Sequence, residues 1–326
     1  MTGKREKAAM AMRWLWLAAA LGHTSSISMP RLIEAKLAKH AVPLVVSVDA
    51  AEDLRLRGVA RINAVLPAAQ CAALRLHVGA LAKRSLDPET AKWAAWMDPD
   101  VLGRYVPGTR LRFADTLEQQ LESKHRRDIL LPLEDAVVRD ALGIAVGTTR
   151  ATLEKGAAAC LAGAGEGALE LVECGVLAST FGAGHQRLHA DFHRDGAGLR
   201  ADERGAMPPR LVCFVYLQDT PTVAHGPTGF LPGTATAEAH AATVAPDGSI
   251  IAEALAGAVA EVATVAAGDA VLYDASVLHW GASNRTPANE RAIFYFGVAA
   301  AGAAAKCAGP PADGAKPVPP VWLADL

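Results

Sequence analysis

The sequence predicts a mainly β protein with an α layer: a double-stranded β-helix (jelly roll, cupin-like) with N-terminal helices packed on it. Three observations point there. The second half of the chain alternates short runs rich in β-branched and aromatic residues with Gly, Pro and Asp turns, the pattern of a sandwich or jelly roll. The first half carries helix signals instead. The 326 residues, 51% hydrophobic and 20% charged, supply material for one large core.

Taken in order, residues 58–66 read as a short strand. Pro67 then opens a helix that runs through residue 76, since Pro is favoured at the first helical position. Further helices are expected around 87–96 and over 133–142, the latter started by Pro132 and stopped by Gly143. The cluster Arg126-Arg127-Asp128 reads as a loop ion pair or, alternatively, as a basic patch facing an anionic substrate. Strands are expected over 170–178, over 210–217, over 270–273 after a Gly268-Asp269 turn, and over 291–298, where Phe294, Tyr295 and Phe296 fall among β-branched residues. Alanine-rich stretches at 157–168 and 235–260 read as surface helices or insertions.

These elements divide the chain into a leader over 1–45, a single domain over 46–305 and a Pro-rich tail over 306–326. In the leader, Lys4, Arg5 and Lys7 precede an apolar run over 14–21 and then small and polar residues, an order that resembles a signal or transit peptide. The expected location is therefore secretory or organellar, or cytoplasmic if the segment is only a flexible leader. The run is shorter than the about 20 residues a membrane span needs. A net charge of −2 leaves no basic excess for a phosphate backbone, so nucleic acid is excluded as a partner. Five widely spaced cysteines without a CxxC make neither a disulfide framework nor a thiolate zinc site, and Cys174 and Cys213 read as small core residues.

Chemistry enters with His189-Ala190-Asp191. With 10 His and 34 acidic residues, chance alone gives about one such His-x-carboxylate triplet, so the spacing by itself says little. On a strand, however, residues i and i+2 share a face and can grip one ion. His279, 88 residues beyond Asp191, is a candidate third ligand, because a jelly roll makes neighbours of strands distant in sequence. Two His and one carboxylate leave open positions, which suits Fe(II). Arg291 heads the clearest strand. A guanidinium projecting into an apolar barrel calls for an anion, and its planar fork fits a carboxylate. His189 and His193 have the spacing of a helical zinc-protease motif, but Ala190 stands where that motif needs Glu. His185 and His193 share the strand parity of His189 and have a rim or substrate-facing role or none; His225 reads as a turn residue. Gln186 and Asn284, close to the ligands in sequence, are candidates for cofactor-binding or supporting hydrogen bonds, or for ordinary turn bonding.

The ordered set of motifs resembles the phytanoyl-CoA dioxygenase-like family of Fe(II)/2-oxoglutarate-dependent dioxygenases. It comprises Gln186-Arg187-Leu188-His189-Ala190-Asp191, a strand ending Tyr216-Leu217-Gln218-Asp219, His225-Gly226-Pro227 through Pro232-Gly233-Thr234, Gly268-Asp269, and His279-Trp280-Gly281-Ala282-Ser283-Asn284 followed by Arg291. The likeness spans roughly 58–299 and is specific from about residue 186. His225 and Ala235 depart from the family's usual Asn and His. The resemblance implies Fe(II) on His189, Asp191 and His279, 2-oxoglutarate chelating that iron with its distal carboxylate on Arg291, and O₂ as the oxidant. It implies hydroxylation of a C–H bond in a small-molecule or lipid-like substrate, with release of succinate and CO₂. Asp191 argues against the family's halogenases, which lack the carboxylate. Two alternatives stay open: a catalytically silent jelly-roll binding protein, and a cupin-type metal enzyme that uses no 2-oxoglutarate.

Overall fold

A computed structural model describes residues 30–84, 125–131, 133, 135–161, 169–192, 209–245, 249–302 and 321–323. In chain order the elements are α1 (Pro30–His40), β1 (Val42–Pro43), α2 (Ala50–Arg57), β2 (Val59–Ile62), α3 (Ala68–Arg84), β3 (Arg126–Leu130), α4 (Ala136–Cys160) and β4 (Leu169–Ser179). Then come β5 (Arg210–Tyr216), β6 (Thr228–Phe230), α5 (Ala237–Thr243), a 3₁₀ turn (Ala252–Leu255), β7 (Glu261–Val262), β8 (Ala270–Asp274), β9 (His279–Gly281), β10 (Arg291–Ala300) and β11 (Val321–Trp322).

Two sheets form the predicted jelly roll. The larger runs β11-β4-β10-β5-β8-β2, with β3 also paired to β4; the smaller runs β1-β7-β6-β9. Strand alternation sorts the larger sheet's side chains. Leu211, Cys213, Val215, Phe294, Phe296 and Val298 face outward, into the core shared with α3 and α4. Val212, Phe214, Tyr216, Tyr273, Ile293 and Tyr295 face the barrel interior, where they meet Phe230 of the smaller sheet. A β-bulge between Gly297 and Val298 shifts the β10–β4 register at one end. Cys174 and Cys213 are buried, and burial raises both thiols, to about 12 for Cys174, so they behave as small apolar side chains.

Several expectations need correction. The helix read over 133–142 is Ala136–Cys160, and Gly143 lies inside it. Its buried face continues through Ala145, Val146, Thr149, Leu153 and Gly156, and that packing outweighs the roughly 1 kcal/mol helix cost of one glycine. At Gly156 a side chain would strike Leu54, so the bare backbone lets α2 and α4 approach. The strand read over 58–66 stops at Ile62, because Ala64 takes a left-handed turn (φ 53°). Arg126-Arg127-Asp128 is not a loop but the start of β3. Among its described residues, the alanine-rich stretch 235–260 holds only α5 and the 3₁₀ turn as helix. The helix expected around 87–96 lies outside the described residues, as do residues 162–168.

At the chain ends, Pro30–His40 of the expected leader forms α1, and β1 pairs in parallel with β7. In the Pro-rich tail, β11 pairs with β4. Among the described residues no helix is long and apolar enough to cross a membrane.

The Gly268-Asp269 turn ties the larger sheet to the entry of α3. Asp269 accepts from Arg61 Nη2 (2.9 Å), Ala64 N (3.0 Å) and Ala266 N (3.2 Å). Gly268 sits at φ 88°, and a side chain there would run into the Leu66 carbonyl. Gly268→Ala is expected to cost about 2 kcal/mol, seen as a lower urea midpoint at unchanged slope.

Candidate metal centre

The ligand-bearing segments meet through their backbones. His189 N donates to His279 O (3.0 Å) and His279 N to His189 O (2.8 Å), an isolated antiparallel bridge. His189 and Asp191 are therefore not on a continuous strand, as the i, i+2 argument expected; one bridge and a bend do the same work. Opposed residues of such a pair project side by side, and the two imidazole centroids are 4.3 Å apart.

Both rings are oriented by their own backbone. His189 Nδ1 is 2.6 Å from Arg187 O, and His279 Nδ1 is 2.9 Å from Val277 O. A carbonyl only accepts, so each Nδ1 carries the proton and each Nε2 presents a lone pair. Those two Nε2 atoms face opposite oxygens of Asp191, each at 3.7 Å. That is longer than a hydrogen bond. One donor atom from each of the three residues lies within 4.8 Å of the others. Burial works against charge on Asp191, but in the metal-free protein with its histidines protonated, His279, Arg210, His189 and the Tyr273 hydroxyl together outweigh it and hold the carboxyl well below the usual range. Tyr273 donates to Asp191 Oδ2 at 3.1 Å, and burial, reinforced by that carboxylate, keeps the phenol protonated far above its ordinary value. Two neutral imidazoles and one carboxylate on a single side suit Fe(II) with open positions.

Further supports surround the ligands. Gln186 N donates to Gly281 O (2.8 Å), and Gln186 Oε1 accepts from Gly281 N (2.9 Å). Glu34 of α1, almost fully buried, accepts from Leu188 N (2.9 Å), fastening the amide just before His189. Phe230 stacks on His279, centroids 6.1 Å apart. Trp280, on the opposite face of β9, is a core residue packed with Leu188 and Ala190.

Arg291 lies deeper in the barrel. On β6 and β9, Phe230 pairs with His279 and Thr228 with Gly281, a step of about 7 Å. Arg291 Nη1 donates to Gly226 O, beyond Thr228. Its side chain is buried, its Nε has no partner, and no carboxylate pairs with it among the described residues. Burial, only partly offset by Tyr216, lowers it to about 10. A guanidinium so placed fits a carboxylate group. Asn284 is buried beneath the turn that leads to Arg291; its Nδ2 donates to Ser179 O (2.9 Å) and Asn289 O (3.0 Å). His185 Nε2 is 3.4 Å from Ser283 Oγ, and burial, Arg285 and Arg126 lower its pKa. His225 Nδ1 is 2.9 Å from Thr222 Oγ1. His193 lies outside the described residues.

Sequence reasoning missed Tyr273, Arg210, Glu173 and Glu34. Arg210 offered the same cue as Arg291, a charge heading a buried strand. The other three have no local signal, because their partners lie far away in the chain.

The family model for phytanoyl-CoA dioxygenase matches residues 54–293. No curated protein sequence matches. Among solved structures, the α-ketoglutarate-dependent carbocyclase SnoK from nogalamycin biosynthesis is similar over 78% of this chain and 83% of its own, at 14% identity and TM-score 0.51. The epimerase SnoN, in complex with Fe³⁺, α-ketoglutarate and nogalamycin RO, is similar over 88% and 94%, at 17% identity and TM-score 0.51. At these identities the likeness is one of fold.

The electrostatics of Asp191 have a consequence for pH. A carboxyl held low when folded contributes stability that is complete above its unfolded value of 3.8 and is lost as pH falls further. In urea titrations of the metal-free protein, the stability gap between wild type and Asp191→Asn should narrow progressively below pH 3.8.

Proposed function

The chain belongs to the phytanoyl-CoA dioxygenase family of Fe(II)/2-oxoglutarate-dependent dioxygenases, which use O₂ as co-substrate, and on that premise we propose that it hydroxylates a C–H bond of a small molecule. His189, Asp191 and His279 hold the iron, and Arg291 holds the distal carboxylate of 2-oxoglutarate. The observation that supports this best is the pairing of a converging donor set with a deeper, buried guanidinium that has no carboxylate of its own. The single Thr228–Gly281 rung between them is a span a short dicarboxylate bridges. The guanidinium also speaks against a cupin-type enzyme without a 2-oxo acid, which would leave that charge uncompensated.

With both bound, iron and 2-oxoglutarate supply a two-electron oxidation by O₂, with succinate and CO₂ as co-products. The chain's own residues do the rest. The Arg187 and Val277 carbonyls lock the imidazole tautomers, a support whose removal typically weakens a metal site about 10- to 100-fold. Tyr273 fixes the rotation of the Asp191 carboxylate. Gln186 and Asn284 act on main chain, Gln186 by fastening β9 next to His279 and Asn284 by shaping the turn before Arg291. Phe214, Phe230 and Ile293 wall the space between metal and Arg291 and keep water from it. The fold alone does not choose the outcome of the oxidation, since its bearers include a carbocyclase and an epimerase. Hydroxylation is identified by a product that has gained one oxygen atom from O₂.

Anaerobic addition of Fe(II) and 2-oxoglutarate should produce the weak visible absorption of the chelate. A folded, iron-loaded protein without it would refute the assignment. Arg291→Ala should weaken 2-oxoglutarate binding at least about 30-fold while sparing iron, whereas Asp191→Ala should abolish iron binding. Succinate release under O₂ separates an enzyme from a silent binding protein.

A further inference from the structure

The barrel interior is unevenly polar. Phe214, Phe230 and Ile293 line the interior on the side of Arg291. A polar band crosses the larger sheet obliquely: it starts at Asp128 and Tyr295, level with Ile293 and Phe214, and runs to Glu173 and Arg210, farther from Arg291. Tyr295 donates to Asp128 Oδ1 (2.7 Å), Arg210 Nε donates to Glu173 Oε1 (2.7 Å), and Tyr273 donates to Asp191 (3.1 Å). Asp128, Glu173, Arg210 and Tyr295 stand on four different strands, β3, β4, β5 and β10, so the band is assembled by the fold and not by one loop.

Two glycines clear its floor. A side chain at Gly175 would come within 2.7 Å of the Tyr295 hydroxyl, and one at Gly297 within 2.7 Å of Glu173 Cγ. Gly297 pairs with Glu173 on one side and Val212 on the other, so its bare backbone lets the Glu173 carboxylate reach across β10 to Arg210. Both members of this ion pair are about nine-tenths buried. A pair so buried is seldom a stability device, because packed apolar residues do as well or better. Nor is it satisfied: Arg210 Nη1 is buried with no hydrogen-bond partner.

We propose that this band is the substrate floor, and that the substrate is a small hydrophilic molecule carrying hydroxyl and amino groups. An acceptor oxygen of the substrate meets Arg210 Nη1, and its donor groups meet Glu173 and Asp128. Glu173 and Asp128 bring carboxylate acceptors to the band beside the Arg210 donor, which suits a ligand bearing hydroxyl and amino groups. An acyl chain or other lipid would bury the ion pair without returning its lost hydration. The inference rests on the oxygenase reading above and narrows its substrate.

The test uses the full chain loaded with Mn(II), which is redox-silent here, and 2-oxoglutarate. Two probe sets are compared by thermal shift: polyols, amino sugars and amino alcohols in one, fatty acids and acyl-CoA thioesters in the other. Members of the first set should raise the melting temperature. With Fe(II) and O₂ the same compounds should speed succinate release on the order of tenfold over the unstimulated rate. Glu173→Gln and Arg210→Gln should each weaken that binding at least about tenfold, with the visible Fe(II)–2-oxoglutarate absorption still formed. The double variant Glu173→Gln/Arg210→Met removes both charges together and serves if a single variant misfolds. A response to acyl compounds alone, to neither set, or to the polar set undiminished in the variants overturns the proposal. Absence of the chelate absorption in the unaltered protein overturns the oxygenase reading instead.

Discussion

The proposed metal centre depends on two hydrogen bonds, the reciprocal pair between the backbones of His189 and His279. They set the two imidazoles side by side, and a slip of one residue would turn a ring to the opposite face. The segment that carries His189 is not a regular strand, so its register is pinned from several directions. Gln186 grips Gly281 through backbone and side chain, Phe192 N donates to Ala275 O, and Glu34 takes the Leu188 amide. These contacts all act on main chain. The three candidate ligand side chains face one another, and the Tyr273 hydroxyl donates onto Asp191.

The interior also holds two buried guanidiniums in contrasting states. Arg210 is compensated by Glu173 and lies under the influence of Asp191, which together keep it charged in spite of burial. Arg291 has a backbone carbonyl and a phenol for company, and burial lowers its pKa. One charge is balanced within the chain and the other is not. This asymmetry distinguishes the two guanidiniums: among the described residues Arg210 has a carboxylate partner and Arg291 has none.

Much of this was legible in the sequence, for identifiable reasons. The runs at 210–217, 270–273 and 291–298 announce strands because they are buried on both faces and rich in β-branched and aromatic residues. The three ligand candidates and Arg291 stand out because a conserved order of motifs can be matched against a known family. β3 is unreadable in the sequence because Asp128 meets the Tyr295 hydroxyl inside the barrel, which inverts the rule that charge marks a loop. The end of α4 was misplaced because tertiary packing carries the helix past Gly143. Tyr273, Glu173 and Glu34 have no local signature, since each acquires its role from a partner between 37 and 154 residues away.

The Glu34–Leu188 bond, which spans 154 residues of chain, bears on how the protein folds. The helices form from near neighbours, whereas contacts this distant, like the larger sheet's own β2–β8 and β4–β10 pairings, must wait for loop closure over much of the domain. What sets the His189 segment apart is that it is held by an isolated bridge and single bonds and not by a continuous ladder, so it is expected to be among the first parts to open in the native state. Amide exchange at Leu188 and His189 would then report this local opening, and an ion held by His189, Asp191 and His279 would act chiefly by suppressing it.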